Sequence, residues 1–192
     1  MTTESPGRVL LLNGASSSGK SSIGRALLPL LPDPWFLVPV DAISGMRSTV
    51  HTRELAEDEI AAMLNRTRRG YHRAVAALAS QGNDVIMDYP LSEPWRLADL
   101  LEVLTGYDVT LVDVHCSEAE LERREQVRQD RPAGLALSQS VFEHTDRDLV
   151  VDTTNHSPEA CAQVIATSLA RLDSSKAFDR LRARRSAGRP QA

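Results

Sequence analysis

The chain has 192 residues, 42% of them hydrophobic and 25% charged, with a formal net charge of -4, which is enough for one buried core and short for two. That charge supplies no broad basic field for a polynucleotide backbone. Two cysteines without a C-x-x-C or metal-type cluster exclude a disulfide framework, and no stretch approaches the roughly 18 to 20 apolar residues of a membrane span or the core of a signal peptide. The expectation is a cytoplasmic protein whose partner is a small molecule rather than a nucleic acid or a membrane, with homo-oligomerisation left open.

Short apolar runs alternate with segments of helical period. Residues 8–13 read as a first strand, and a Gly/Ser loop leads to a helix over 20–31 that Pro32-Asp33-Pro34 closes, because proline cannot continue the backbone ladder. A second strand over 36–40 contains Pro39, which belongs at an edge or strand end, and Asp41 terminates it. Residues 53–81 place apolar and charged residues at helical spacing and stop at Gly82-Asn83. Val85-Ile86-Met87 then form a third strand ending on Asp88. A helix over 93–104, a strand over 109–114 and an Arg/Glu-rich helix from Ser117, with Glu120 placed for a capping box, follow. Beyond the turn Arg131-Pro132-Ala133-Gly134 come a helical piece to 143, a strand over 149–151 and a helix over 158–172. Five strands separated by helices imply an α/β three-layer sandwich around a five-stranded parallel sheet. Residues 1–173 are the expected domain. Residues 174–192, basic and poor in apolar side chains, read as a frayed, flexible tail.

Gly14-Ala15-Ser16-Ser17-Ser18-Gly19-Lys20-Ser21 matches G-x-x-x-x-G-K-[ST] in full and lies between a predicted strand and a predicted helix. The glycines let the backbone curl so that its N–H groups face phosphate oxygens, and the positive end of the following helix favours the same anion. Lys20 is expected to reach the β- and γ-phosphates, Ser21 to help hold Mg2+, and Ser22 to border the phosphates. An N-K-x-D base-reading element is missing, which argues against a switch GTPase. So short a chain also lacks the second assembly of a mechanical ATPase. A small ATP-dependent kinase is the reading that remains, ahead of a nucleotide-binding regulatory module.

Kinase chemistry needs a group that orients or deprotonates the acceptor hydroxyl. Asp41 leads, since open α/β sheets place ligands beyond the carboxyl ends of their strands. Asp88, at the end of the third strand, is the second candidate, for Mg2+ or the acceptor. Arg123, Arg124, Arg128 and Arg131 sit where small kinases keep an Arg-rich lid; Arg128 and Arg131 are taken as catalytic cations and Arg124 as nucleotide-binding, while Arg123 reads as a solvated partner of nearby glutamates. Asp152 and Thr153 are expected near the adenine end, in competition with a capping role. His115 and His144 read as structural. An anionic acceptor would call for arginines such as Arg47, Arg53, Arg66, Arg68 and Arg69.

Leu12-Asn13-Gly14 through Ser21, Leu31-Pro32-Asp33-Pro34-Trp35, Val40-Asp41, Arg124-Glu125, Arg128, Asp130-Arg131, Ala133-Gly134 and Val151-Asp152-Thr153-Thr154 together resemble the chloramphenicol phosphotransferase family. The resemblance implies an ATP-dependent O-phosphotransferase that inactivates an antibiotic at a primary hydroxyl, with the aspartate matching Asp41 as base. It departs in the acceptor region: residues 44–81 are shorter and more charged, and Tyr89-Pro90-Leu91 follow Asp88 where the family has a second acid. Trp35, Met46, Met63, Tyr71, Tyr89 and Trp95 are candidates for an acceptor pocket. The expected activity is phosphorylation of chloramphenicol or another hydroxylated antibiotic such as a nucleoside, with a metabolite, nucleoside or sugar-acid kinase as the alternative.

Overall fold

A computed structural model describes residues 5–127, 134–172 and 175–187. Its strands are β1 (Val9–Asn13), β2 (Trp35–Pro39), β3 (Asp84–Asp88), β4 (Val109–His115) and β5 (Leu149–Asp152), in the order β2-β3-β1-β4-β5 with every pairing parallel. The helices are α1 (Lys20–Leu27), α2 (Val40–Gly45), α3 (Thr49–Thr52), α4 (Glu57–Ser80), α5 (Pro94–Val103), α6 (Glu118–Val127), α7 (Pro158–Leu169) and α8 (Ala177–Ala187).

Parallel strands buried on both faces read as continuous apolar runs, and alternate side chains of such a run go to opposite layers. Val9 and Leu11 of β1 join Tyr71, Val75, Val85, Met87, Leu100 and Phe178 in one core, under α4, α5 and α8. Leu10 and Leu12 join Ile23, Leu27, Ile86, Val112, Ala162 and Ile165 in the other, under α1 and α7. This is the three-layer sandwich expected of the sequence. The break in the strand order, where β1 has β3 on one side and β4 on the other, opens a crevice above the carboxyl ends of the strands, directly over the Gly/Ser loop.

Five details differ from expectation. Helix α1 stops at Leu27, with turns in place of the last residues before Pro32. Strand β2 ends at Pro39 and Val40 already belongs to α2, so Asp41 stands in a first helical turn rather than on the strand. The helix expected over 53–81 begins only at Glu57, where Glu59 accepts from the Ala56 amide at 2.9 Å and three acids occupy the first turn. The helical piece expected up to 143 is a turn and an extended loop: Glu125 accepts from the Gly134 and Ala136 amides at 2.9 and 2.6 Å, and Val141 is buried.

The fifth difference is the tail. Ala177, Phe178 and Leu181 of α8 are buried in the core, and its arginines are engaged rather than solvated. Arg182 donates to the carbonyls of Leu101 and Leu104 at the end of α5, at 2.8 and 2.6 Å, and Arg180 pairs with Asp146 at 2.7 Å. The Asp148 carboxylate accepts from the Ala177 amide at 2.7 Å.

Candidate active site

Strand β1 delivers the chain to a loop that passes tightly over β4. A Cβ on Gly14 would lie 2.6 Å from the Val114 carbonyl oxygen, so only glycine fits there. Gly19, the residue before α1, has φ +94, and Ser17 has φ +62, the one positive value outside glycine among the described residues. Left-handed residues in such a loop turn successive amides toward one point, a concavity for anions at the positive end of α1. The hydroxyls of Ser16, Ser17 and Ser18 are buried without a hydrogen-bond partner among the described residues. Gln139, invisible as a site residue in the sequence, accepts from the Ser16 amide at 2.6 Å.

Lys20 is 7% exposed, and its Nζ donates to the carbonyls of Gly14 and Ala15 at 2.8 and 2.7 Å. The next residue, Ser21, donates its hydroxyl to Asp88 Oδ2. Asp88 reaches it because β3 lies next to β1, with Leu12 and Asp88 in register. A hydroxyl and a carboxylate oxygen are the hard donors that Mg2+ takes, and no group of three or more His, Cys, Asp or Glu among the described residues could cage a metal alone. The pair therefore fits an ion that draws its remaining oxygens from nucleotide and water.

These residues open onto one cleft of about 730 Å3 lined also by Ser16, Ser17, Gly19, Ser22, Asp41, Arg123, Arg124 and Thr153. Gly14, Ala15 and Ser18 lie behind the lining as the buried part of the loop. Arg124 on α6 is held flat across the loop: its Nη1 donates to Thr153 Oγ1 (3.1 Å) and Ser17 O (3.3 Å), its Nη2 to Thr153 O (2.7 Å) and its Nε to Glu120 Oε1 (2.8 Å). Hydrogen bonds from Arg123 and Arg124 hold the Glu120 carboxyl down at about 2, so it remains an anion that braces both. Glu120 is thus not a capping-box acid: the Ser117 amide it would have served donates to Thr154 Oγ1 at 2.9 Å. Thr153 Oγ1 donates in turn to Ser18 O at 2.8 Å. Asp152 is exposed, accepts from the Thr154 amide at 2.7 Å and is not among the lining residues. Arg123, which the sequence suggests is solvated, lines the cleft. Arg128 and Arg131 lie outside the described residues.

Asp41 borders the cleft from the β2 side, with Pro39, Val40 and Ala42 around it and Pro90 beyond Asp88. Of the six residues suggested for an acceptor pocket, Tyr71 and Tyr89 are fully buried and Met46 is 77% exposed; none of the six lines the main cleft. Beneath the loop, Asn13 Nδ2 donates to Asp113 Oδ1 (2.9 Å) and Val141 O (2.7 Å), and its Oδ1 accepts from the Leu91 amide (2.9 Å). One buried amide thereby ties strand β4 and two loops together around the site. His144 Nε2 stands 3.1 Å from Asp113 at ion-pair distance, though outside hydrogen-bond alignment, which makes it a structural histidine.

No described helix is long and apolar enough to cross a membrane. A protein of Mycobacterium tuberculosis (strain H37Rv) named "Putative O-phosphotransferase Rv2636" is 28% identical over 93% of this chain and 89% of its own. Among solved structures, the M. tuberculosis APS kinase CysC in complex with AMPPNP and APS superposes with a TM-score of 0.68 at 18% identity, covering 86% of this chain and 99% of that one. A gluconokinase from Sinorhizobium meliloti 1021 gives 0.60 at 20% identity, covering 88% and 94%. Both establish the P-loop kinase fold. The chloramphenicol phosphotransferase-like protein family matches residues 7–170, so the chain belongs to that family and is a P-loop phosphotransferase.

Proposed function

We propose that the chain transfers the γ-phosphoryl group of ATP to a hydroxyl of a small molecule, with Asp41 as the base. The observation that carries this reading is the shared cleft, in which the phosphate loop and Lys20, the Ser21–Asp88 pair and Asp41 meet although they come from β1–α1, β3 and β2–α2. The loop amides and hydroxyls hold the phosphates, and Lys20 exchanges the Gly14 and Ala15 carbonyls for phosphate oxygens. Ser21 and Asp88 would hold Mg2+, which when bound neutralises charge on the β- and γ-oxygens. The acceptor oxygen bonds to the γ-phosphorus as its proton passes to the Asp41 carboxylate; the bond from that phosphorus to the bridging oxygen breaks, and ADP leaves with the electron pair. Arg124, tied across the loop, and Arg123 on the rim supply cations for the phosphoryl oxygens, the role that the sequence also suggests for Arg128 and Arg131.

The family description names chloramphenicol, which supports a hydroxylated antibiotic as one acceptor class; a nucleoside antibiotic and a resistance role extend that reading. A second class, a metabolite such as a sugar acid, is favoured by the cationic surroundings of Arg68 and Arg96 near the acceptor side. The test is ATP consumption with Mg2+ across both classes, with mass spectrometry for a product heavier by roughly 80 Da, one phosphoryl group. Asp41→Asn is expected to lower kcat by about 100-fold or more with AMPPNP affinity near normal. An unchanged rate would make Asp41 structural and remove the base from this mechanism.

A further inference from the structure

Helix α4 runs past the carboxyl ends of the strands. Tyr71 marks the level of the sheet, because its hydroxyl donates to Val38 O in β2 at 2.6 Å. Arg68 lies three residues earlier on the same face, about 4.5 Å further along the axis, on the side where β2 and β3 deliver Asp41 and Asp88. Asp41 is among the charges acting on its guanidinium.

Arg68 and Arg96 converge on one carboxylate. Glu93 Oε1 accepts from Arg96 Nη2 and lies 3.7 Å from Arg68 Nη1, and Glu93 Oε2 accepts from Trp95 Nε1 at 2.8 Å. Arg96, 4% exposed, spends Nη1 on the carbonyl of Pro90, a cleft-lining residue, at 2.9 Å. Among the described residues its Nε has no partner, and neither has the hydroxyl of Tyr89, whose ring lies 5.4 Å from the Arg96 guanidinium. The other acid of this corner, Asp99, is already taken by Arg69, Arg73 and His72. Two guanidiniums thus share one carboxylate. Among the described residues Arg68 has no ion-pair partner besides Glu93. Burial, and then the like charge of Arg96, weigh against its cation. Buried donors and a surplus positive charge are costly unless an anion answers them.

We propose that the acceptor is an alcohol carrying an oxyanion, a carboxylate, sulfate or phosphate, which Arg68 receives with Arg96 and Tyr89 behind it while the hydroxyl faces Asp41. This rests on the kinase reading and decides within it for the charged acceptor class. A neutral antibiotic leaves the charge surplus unanswered.

The test is isothermal titration calorimetry on the full chain saturated with AMPPNP and Mg2+, so that the phosphate loop cannot take the anion. D-gluconate, inorganic sulfate and inorganic phosphate are titrated against neutral glucose. At least one anion is expected to bind saturably and glucose not to bind; which anion binds names the group. Arg68→Gln is expected to weaken that binding roughly 10- to 100-fold, and Arg68→Lys less, with AMPPNP affinity unchanged in both as the check on folding. Arg171→Gln, past the far end of α7 and about 18 Å of helix from Pro158, is expected to change neither. Failure of every anion to bind AMPPNP-loaded protein, equal binding of glucose, or anion binding that survives Arg68→Gln would overturn the inference while leaving the kinase reading intact. Failure of AMPPNP to bind would instead strike the kinase reading, and the anion titrations on nucleotide-free Lys20→Ala protein would still report on Arg68.

Discussion

On the nucleotide side of the cleft the loop is buried almost throughout, pinned by Asn13 below, Arg124 above and Thr153 beside it. On the acceptor side α2 and α3 contain no buried residue, and Met46 and Val50 stand 77% and 64% exposed. The first half recognises its ligand with backbone amides, which demands a fixed loop and can be written in eight consecutive residues. On the reading proposed above, the second is assembled from side chains that come from separate elements, so no single stretch of sequence spells it out.

The sharpest break of this comparison is Lys20→Ala. It is expected to lower phosphoryl transfer by roughly 1000-fold or more and to weaken AMPPNP binding, read in a coupled ADP assay and by calorimetry. Retained turnover would mean that the loop is not the phosphate site.

Phe178→Ala tests the layer beneath the acceptor half. Phe178 is 1% exposed and sits in the core shared by α4, α5 and α8, so truncation is expected to cost about 3 to 5 kcal/mol in denaturant unfolding. AMPPNP affinity, measured where the variant is still folded, should stay near normal. A loss below about 1 kcal/mol would show α8 to be the detachable tail that its composition suggests.

The smallest expected effect is set by acid. Burial pushes His72 down from 6.5 to about 4, against the pull of its Asp99 hydrogen bond, so the folded protein keeps it neutral. The unfolded chain therefore binds the extra proton between those values. The contribution is complete above pH 6.5 and is lost as pH falls toward 4, at most on the order of 3 kcal/mol. Unfolding free energies across this window should slope less in His72→Gln; an equal slope would place the titration elsewhere. The loss belongs to the α4–α5 layer, so acid should loosen the acceptor half first.

The phosphate loop, the parallel sheet and the place of Asp88 at the end of β3 were legible in the sequence because each is written locally, as a motif, an apolar run or a carboxylate closing one; Asp41 was legible only as a carboxylate just past β2, since it belongs to the first turn of α2. Helix α8 was not. Its three anchoring side chains are outnumbered by arginines whose partners, the carbonyls of Leu101 and Leu104 and the carboxylate of Asp146, lie 34 or more positions away. Gln139 was missed for the same reason, since its bond to Ser16 spans 123 residues. The sequence reads Arg123 as a solvated partner of Glu122 and Glu125; in the structure it pairs with Glu120 instead and stands on the rim of the cleft.

The edges of the sheet carry one further consequence. Among the described residues strand β2 pairs only with β3, and Phe36 on it is 48% exposed. An open apolar edge is a template on which another chain can add a strand. Here Pro34 precedes a five-residue strand and Pro39 ends it without an amide to donate, so the stretch left for recruitment is too short to propagate. The two prolines act as gatekeepers against aggregation on the side of the sheet that the acceptor half leaves uncovered.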